Sequence, residues 1–308
     1  MSARPWLALL AAAALAFALV WWVRRRASRS TTGRLFFRHP TTGPALLVLS
    51  FLIFAALGAG LVAPYDPAAM PDVVGMQNLP PSWTHPLGTD VYSRDTWSRL
   101  VYGARISFSV GMLATLVAVT IGALVGAASG YFRRWVDASL MRLVDVGLAL
   151  PRMFLLLVIA ALWEGLPLSV LVVLIGLTGW FGTSRIVRAE VLSLRERDFV
   201  AAARALGAGA PRVIFRHVLP NAAAPIIVSA ALGVGNVLLL EAGLSFLGIG
   251  VRPPLPSWGN MIGDGWRTFT ANPWATVFPG LAIAVVVMAC NAVGDALRDA
   301  LDPHMEVL

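Results

Sequence analysis

The side chains that most often do chemistry in proteins are scarce in this chain, and their spacing fits no common catalytic or metal site. All 24 strongly basic residues are Arg and none is Lys. A phosphate-binding Walker loop and a Schiff-base enzyme each need a Lys, so the chain is not a P-loop ATPase in its own right. The four His residues lack the HExxH spacing of zinc proteases, and Cys290 stands alone in an apolar stretch. We therefore expect no metal site and no catalytic role.

The composition indicates a membrane protein. Hydrophobic residues make up 58% of the chain and charged residues 13%, and the mean hydropathy is +0.75. A helix needs roughly 20 apolar residues to cross a hydrocarbon core of about 30 Å. Seven windows are long and apolar enough, the fourth of them despite Arg142, Asp145 and Arg152: 5–23, 44–65, 106–132, 138–163, 165–184, 218–240 and 268–294. The sequence predicts an all-α, polytopic bundle of seven helices, six of which form its core.

The Arg residues predict the orientation of these helices. Six of them lie in 24–38, directly after the first window, whereas Arg4 alone precedes it. Since positive charge stays inside, the first helix should run inward, and alternation then places 17 of the 24 Arg residues inside. The N-terminus is expected outside and the C-terminus in the cytoplasm. The run at 24–26 also argues for an uncleaved helix over a signal peptide, and the net charge of +8 is attributed to orientation, not to nucleic acid.

The same pattern predicts a division into segments. We expect an extra N-terminal helix with an Arg-rich cytoplasmic linker in 1–43, and the first core helix with an external segment in 44–104. The remaining five core helices fill 105–296 and enclose a cytoplasmic loop at 185–217. A cytoplasmic tail follows at 297–308.

The stretch 198–220, DFVAAARALGAGAPRVIFRHVLP, is typical of a docking loop. Asp198 is a candidate N-cap, the Ala residues after it favour a slim helix, and Gly207 is placed to end that helix in a left-handed conformation. Pro211 then suits the start of a second helix that leads to Pro220. A slim helix of this kind can enter a partner's groove, with Arg204 as a polar contact at the rim. An amphipathic helix on the inner leaflet is the alternative.

The loop resembles the EAA motif of ABC importer permeases, which it matches at Ala202, Ala203, Gly207, Leu219 and Pro220. It is most similar to the C-subunit type of dipeptide, oligopeptide and nickel importers. Further blocks agree in order: HPLGTDVYSRDTWSRLVYGARISF from His85, MRLVDVGLALP from Met141, EAGLSFLGIGVRPPLPSWGNMIGDG from Glu241 and GDALRDALDP from Gly294. The resemblance covers roughly 34–303.

The resemblance implies the type I importer fold, with a six-helix core that pairs with a second, homologous permease. It also implies two cytoplasmic ATPase subunits, which hold ATP and Mg, and a periplasmic or lipid-anchored binding protein in a bacterial inner membrane. No cofactor is expected on this chain. The ATPase-coupling residues implied are Asp198, Ala201, Ala202, Ala203, Arg204, Gly207, Ala208, Leu219 and Pro220.

The chain departs from the family pattern at two positions. Ala201 replaces the usual Glu of the motif, which we expect at the third helical position, where it completes a capping box or meets a basic partner residue. Ser93 stands where the family tends to have Gly. The helix at 5–23 also lies outside the shared core.

Ionisable residues inside apolar windows are candidate functional residues. Glu241 lies 21 residues after Pro220, about 31 Å along a helix, so we expect it near the outer interface. It either lines an external vestibule with Ser245, Trp258 and Asn260, or makes a hydrated contact with a neighbouring helix or with the segment around Trp258 and Asn260.

Two further features favour structural roles. Arg142 and Asp145, three residues apart, predict an ion pair, with a proton or substrate site as the alternative. Pro151 predicts a kink, and Gly122, Gly126 and Gly130 predict close helix packing.

Two other classes of protein fit less well. A secondary transporter explains seven helices and could use Asp145 or Glu241 for ion coupling, yet no repeat with broken helices is visible. A membrane serine hydrolase fails because GLSFLG around Ser245 misses the GxSxG spacing and His217 is expected on the opposite side.

Overall fold

A computed structural model describes residues 4–163 and 165–302, and the all-α prediction is confirmed across these residues. The only β feature there is a single bridge between Thr89 and Asp95. Residues 303–308 of the predicted tail lie outside the described residues. The helices are α1 Arg4–Ala27, α2 Thr31–Phe36, α3 Thr42–Leu57, α4 Ala59–Val62, α5 Thr96–Phe132, α6 Arg134–Ala149, α7 Arg152–Leu162, α8 Leu168–Leu177, α9 Phe181–Leu194, α10 Asp198–Ala205, α11 Ala210–Val213, α12 Leu219–Asn221, α13 Ala223–Phe246, α14 Trp258–Trp266 and α15 Trp274–Leu301, with a π-helical turn at Ile214–Val218.

Each predicted apolar window is helical over most of its length, although the helices differ in length and 268–273 precede α15. Within the described residues, α1, α5, α13 and α15 are each long and apolar enough to cross a membrane. The pairs α6–α7 and α8–α9 qualify only as bent spans, with angles of 81° and 43°. α3 is apolar but has 16 residues.

The sharp bend between α6 and α7 follows from Pro151, as predicted. A residue before proline avoids the helical region, and Leu150 is extended at φ −86° and ψ 130°. α6 therefore ends at Ala149, and Pro151 precedes the first residue of α7. The window 138–163 is two helices at a steep angle and not one straight span.

The chain divides into two compact units. The first comprises Met1–Gly111 and Val234–Ala296, and the second Met112–Gly233 and Leu297–Leu308. In the first, the small side chains Ala12, Ala16 and Val20 are buried where α1 packs on α3. A separate core surrounds Phe108, Trp258 and others: Ala56, Ala104, Leu238, Ala242, Met261, Ile283, Val286 and Cys290.

In the second unit, glycines bring α5 close to α9, as the sequence predicts. A Cβ at Gly122 would lie 2.7 Å from Thr183 Cβ, and one at Gly126 would lie 2.5 Å from the Ser184 carbonyl oxygen. At Gly130 the Arg188 carbonyl oxygen would be 2.9 Å away. No larger side chain fits at this separation, so these three positions set the distance between the two helix backbones.

Candidate functional site

The helix α10 is held to the second unit by two side chains on one face. Val200 and Ala203 are buried, and both belong to an apolar cluster with residues of α5, α9 and the segment after α10. We call this the α10 anchor; its other buried members are Ala127, Val187, Val191, Val213, Ile214, Val218 and Ala222. The spacing of three between Val200 and Ala203 places them on one helical face.

The opposite face of α10 is open and carries small or apolar side chains. Ala201, Ala202 and Ala205 are exposed, and Leu206, which follows the helix, has 89% of its surface accessible. Phe199 is partly exposed at the other end. The helix therefore presents a narrow apolar ridge.

The start of α10 differs from the prediction. The N-cap residue is Arg197, in extended conformation, and no side chain caps the helix. Asp198 is the first helical residue, where its negative charge still suits the helix N-terminus. Ala201 is consequently the fourth helical position, so a Glu there would not have completed the capping box that we expected.

The end of α10 is the left-handed cap that the sequence predicts. Gly207 has φ +83°, and its N–H donates to the Arg204 carbonyl oxygen at 2.9 Å. The Ala208 N–H reaches back to the Ala203 carbonyl oxygen at 3.0 Å. These two bonds form a Schellman motif, which satisfies carbonyls that a helix end leaves free.

The chain returns from α10 along a nearly continuous helical path. Pro211 is the second residue of α11, where its missing N–H is harmless. The π-helical turn Ile214–Val218 follows, and Leu219 and Pro220 open α12. Because Pro220 cannot donate to the carbonyl four residues earlier, the wider turn before it accommodates the interruption.

Arg195, which precedes α10, and Arg204, in the last turn of α10, converge on Tyr131 near the end of α5. The guanidinium carbons of Arg204 and Arg195 lie 5.0 and 5.7 Å from the centre of the Tyr131 ring. Arg195 Nη1 also donates to the Tyr131 carbonyl oxygen at 2.7 Å. Arg204, predicted as a contact at a partner's rim, thus already has an aromatic partner in its own chain. Because Tyr131 lies more than 60 residues before Arg195 and Arg204, no local sequence pattern indicates this arrangement.

The predicted ion pair between Arg142 and Asp145 is not the one that forms. Asp145 instead accepts a hydrogen bond from Arg185 of α9, a residue 40 positions away. α6 packs against α9, so a cation on the neighbouring helix reaches the carboxylate. Sequence spacing along one helix did not reveal this partner.

A second pair between the same helices is better shielded, and the sequence analysis did not single it out. Asp137 receives two hydrogen bonds from Arg188, Nε to Oδ1 and Nη2 to Oδ2, each at 2.6 Å. Ser129 of α5 donates to the same carboxylate. This two-point geometry joins α5, α6 and α9 within the second unit.

In the first unit, Glu241 is fully buried, contrary to the expectation of a hydrated site. Its Oε1 accepts a bond of 2.6 Å from Ser245 Oγ, and its Oε2 accepts one of 3.2 Å from Ser107 Oγ of α5. Ser245 Oγ also accepts from the Val251 N–H at 2.9 Å, in the segment that follows α13. The carboxylate is therefore the centre of a buried hydrogen-bonded cluster that fixes this segment. We call this cluster of Glu241, Ser107, Ser245 and the Val251 N–H the Glu241 knot.

Trp258 and Asn260, the other two vestibule candidates, lie in the same region. The Trp258 N–H donates to Ser107 Oγ at 3.3 Å, and its ring N–H donates to the Leu100 carbonyl oxygen at 2.9 Å. Asn260 Nδ2 donates to the carbonyl oxygens of Val251 and Leu255 at 3.2 and 2.9 Å. The four candidates are thus brought together, but as buried structural contacts and not as an open lining.

A buried charge network lies close by in the first unit, and the sequence analysis did not identify it. Arg94 bonds Asp90 and Asp264 at 2.7 Å each, and Arg99 lies 3.3 Å from Asp264. Ser93 within this block has φ +62°, a region that disfavours side chains with a Cβ. That conformation gives a physical reason for the Gly that the resemblance leads one to expect there.

No group of three or more His, Cys, Asp or Glu side chains that could hold a metal occurs within 4–163 and 165–302. The features that stand out are structural: an exposed, anchored helix in one unit and a buried polar knot in the other.

Comparison with known proteins agrees with these features. A family described as "binding-protein-dependent transport system inner membrane component" matches residues 94–307. The chain belongs to this family. The match includes α10, the α10 anchor and the Glu241 knot, whereas α1 to α4 precede it.

Individual relatives narrow the description of the permease. A Brucella suis protein, provisionally named a peptide permease, is 45% identical over 264 residues, covering 85% of this chain and 86% of its own. The dipeptide transport system permease protein of Alkalihalophilus pseudofirmus is 40% identical over 262 residues, with 85% of each chain covered. The permease is thus a multi-pass inner-membrane component of an ABC importer, as the resemblance implied.

Proposed function

We propose that the permease forms one half of the translocation pathway of an ATP-driven peptide importer, together with a second, homologous permease. Two cytoplasmic subunits bind and hydrolyse ATP with Mg, and this chain holds no cofactor and catalyses no reaction. A periplasmic or lipid-anchored binding protein delivers the cargo. The N-terminus of α1 lies outside and the C-terminus of α15 lies in the cytoplasm.

The observation that carries the proposal is the exposed ridge of α10 above its buried anchor. Small Ala side chains let a partner's groove approach the helix backbone closely, and the protruding Leu206 supplies an apolar contact. The anchored face joins the ridge to α9 and to the π-helical turn before α13. A displacement of α10 by the ATPases is therefore passed to these helices as a rigid-body movement.

The names of the relatives support peptides as the cargo. One relative is a dipeptide transport system permease protein, and others are provisionally named peptide permeases. Within that class, dipeptides and longer peptides are the main candidates, and a nickel chelate is the competing one.

The binding protein meets the external segments around 64–95 and 247–257. Val74 and Trp83 in the first of them have 90% and 91% of their surfaces accessible. Exposed aromatic side chains such as Trp83 are enriched at protein interfaces, which supports this contact.

A bulky substitution on the ridge tests the coupling role. Ala202→Trp alters only the exposed face, and Thr270→Trp, on an exposed loop expected on the other side of the membrane, is the matched control. We expect Ala202→Trp to abolish co-purification of the ATPase subunits and peptide uptake, while the control keeps both. If the Ala202→Trp variant retains the ATPases fully, the coupling role is refuted. The alternative, in which α10 lies on the lipid of the inner leaflet, would then be adopted.

Uptake into proteoliposomes tests the energy source and the cargo. The complete complex with its binding protein should accumulate labelled dipeptides or longer peptides only when ATP is enclosed with the ATPase side. Competition by nickel chelates, without competition by peptides, would overturn the cargo assignment. Solute accumulation by this chain alone, driven by an ion gradient, would make it a secondary transporter.

A further inference from the structure

The segment 24–38 carries six Arg residues on an ordered turn, and the proposed function does not use them. Arg24, Arg25 and Arg26 end α1, Arg29 lies in the turn, and Arg34 and Arg38 lie in and after α2. All six are exposed. No Asp or Glu occurs in the sequence before Asp66, and none of the six Arg residues forms an ion pair with a described residue. Among the described residues, this concentrated positive charge therefore has no acidic partner.

The backbone of this turn is well defined. Ser28 Oγ donates to the Arg25 carbonyl oxygen at 2.7 Å, and Ser30 caps α2 by accepting from the Gly33 N–H at 3.1 Å. A Cβ at Gly33 would lie 2.2 Å from the Ala27 carbonyl oxygen, so α2 folds tightly against the end of α1. Thr42 Oγ1 donates to the Phe36 carbonyl oxygen and secures the far end. The guanidinium groups are presented by a folded element and not by a loose tail.

The position of 24–38 next to a lipid-facing helix indicates which ligand its arginines meet. α1 exposes large apolar side chains along its length, as a lipid-facing helix does, and carries Trp21 and Trp22 just before the arginines of its last turn. The Arg25 and Arg26 guanidinium carbons lie 5.1 and 5.5 Å from the centres of these two rings. Tryptophan rings favour the depth of the lipid headgroups, and the arginines directly beyond them therefore meet headgroup phosphates.

We infer that 24–38 is a binding site for anionic phospholipids, which hold the cytoplasmic end of the extra N-terminal helix at the membrane surface. Arginine suits this ligand better than lysine because its planar fork donates two parallel hydrogen bonds to a phosphate. An anionic headgroup also supplies the negative charge that this region of the chain lacks. The inference concerns lipid and does not depend on the identity of the cargo or on the coupling role of α10.

The test measures lipids that stay bound to the full chain. The protein is placed in nanodiscs of phosphatidylcholine with one third phosphatidylglycerol, released into mild detergent, and analysed by native mass spectrometry. The test variant combines Arg25→Gln, Arg26→Gln and Arg29→Gln. The control combines Arg105→Gln, Arg252→Gln and Arg267→Gln, three exposed residues elsewhere, so both lose the same charge.

We expect the unmodified chain and the control to retain phosphatidylglycerol above its bulk share, and the test variant to bind it about 100-fold more weakly, since each arginine near the surface contributes about fivefold. Equal retention by both variants would refute the site. Since the test variant can also insert wrongly, the unmodified chain provides an independent criterion: no enrichment of phosphatidylglycerol over phosphatidylcholine would overturn the inference on its own.

A local probe separates lipid from free phosphate. A spin label at Thr32→Cys, in a Cys290→Ala background, reports on the exposed side of α2. Its motion should slow in nanodiscs that contain phosphatidylglycerol and stay unchanged when inorganic phosphate is added to pure phosphatidylcholine discs. Slowing by inorganic phosphate alone would show a soluble-anion site and contradict the lipid assignment.

Discussion

Ser245 donates a hydrogen bond of 2.6 Å to Glu241, one turn earlier on α13. The same hydroxyl accepts the Val251 N–H, so one serine links the buried carboxylate to the backbone beyond the helix. Ser107 of α5 donates a hydrogen bond to the other carboxylate oxygen of Glu241. The segment after α13 therefore depends on an acidic side chain that solvent does not reach.

The buried hydrogen bonds of Glu241 predict that Glu241→Ala strongly destabilises the folded protein. This change removes the acceptor of two buried hydroxyls and leaves a cavity, so the free energy of unfolding should fall by about 3 kcal/mol. Glu241→Gln keeps the shape and one acceptor oxygen and should cost about 1 kcal/mol. Ser109→Ala is the control because Ser109 is exposed and bonds only a carbonyl of its own helix.

Denaturant unfolding in detergent, followed by circular dichroism, measures these differences. A Glu241→Ala protein as stable as Ser109→Ala would argue against the structural role. If Glu241→Gln is stable but changes which peptides are taken up, the vestibule role regains support.

The cap of α10 predicts a contrast between two nearby glycines. Gly207 has φ +83°, whereas Gly209 has φ −67°, and neither would place a Cβ closer than 4.0 Å to a neighbouring atom. Gly207→Ala should lower the free energy of unfolding by about 1 kcal/mol because of its backbone alone, and Gly209→Ala should be neutral. Thermal unfolding gives the stability, and peptide-stimulated ATP hydrolysis by the assembled complex should fall only for Gly207→Ala. Similar behaviour of the two variants would show that the left-handed cap is unimportant.

The contact between α5 and α9 predicts that Gly126 tolerates no added methyl group. A Cβ there would lie 2.5 Å from the Ser184 carbonyl oxygen, so Gly126→Ala must push the helices apart, at a cost of about 2 kcal/mol. Gly182→Ala is the matched control, because it also lies in a helix but has no atom within 4 Å of the added Cβ. Thermal unfolding in detergent compares the two variants. Equal midpoints would mean that the helices separate freely.

The two ion pairs between α6 and α9 should differ in strength. The Arg188 and Asp137 side chains are 32% and 18% exposed and make two parallel bonds, whereas those of Arg185 and Asp145 are 52% and 54% exposed. Double-mutant cycles with Asn and Gln should give a coupling free energy of about 1–2 kcal/mol for the first pair and below about 0.5 kcal/mol for the second. Unfolding midpoints of the four variants in each cycle provide the numbers. A larger coupling free energy for the Arg185–Asp145 pair would contradict the idea that shielding from solvent strengthens the Arg188–Asp137 pair.

Local chemistry made several features predictable. Apolar windows located the helices, Pro151 located the bend after α6, and Gly207 located the end of α10. Each of these depends on residues that are neighbours in sequence. The start of α10 was predicted one residue late because Asp198 is a good cap in general, yet here the backbone turns at Arg197.

Long-range partners were not predictable in this way. Asp145 pairs with Arg185 and not with Arg142, and Arg204 lies on Tyr131. Glu241 was expected near water because its distance along the chain from Pro220 places it close to the outer membrane surface. That distance does not reveal which helices surround the side chain. The Asp90, Arg94, Arg99 and Asp264 network joins residues more than 150 positions apart.

The sequence by itself determined that this chain is an all-helical membrane permease with a slim helix that Gly207 caps. Helix formation, membrane partition and left-handed glycine caps depend on hydrophobicity and backbone sterics over short stretches. Only the tertiary structure decided that Val200 and Ala203 are buried while Ala202 and Leu206 are exposed. It also decided that Glu241 is inaccessible to solvent. Burial and ion pairing depend on which helices meet, and that choice is made by the packing of the whole chain.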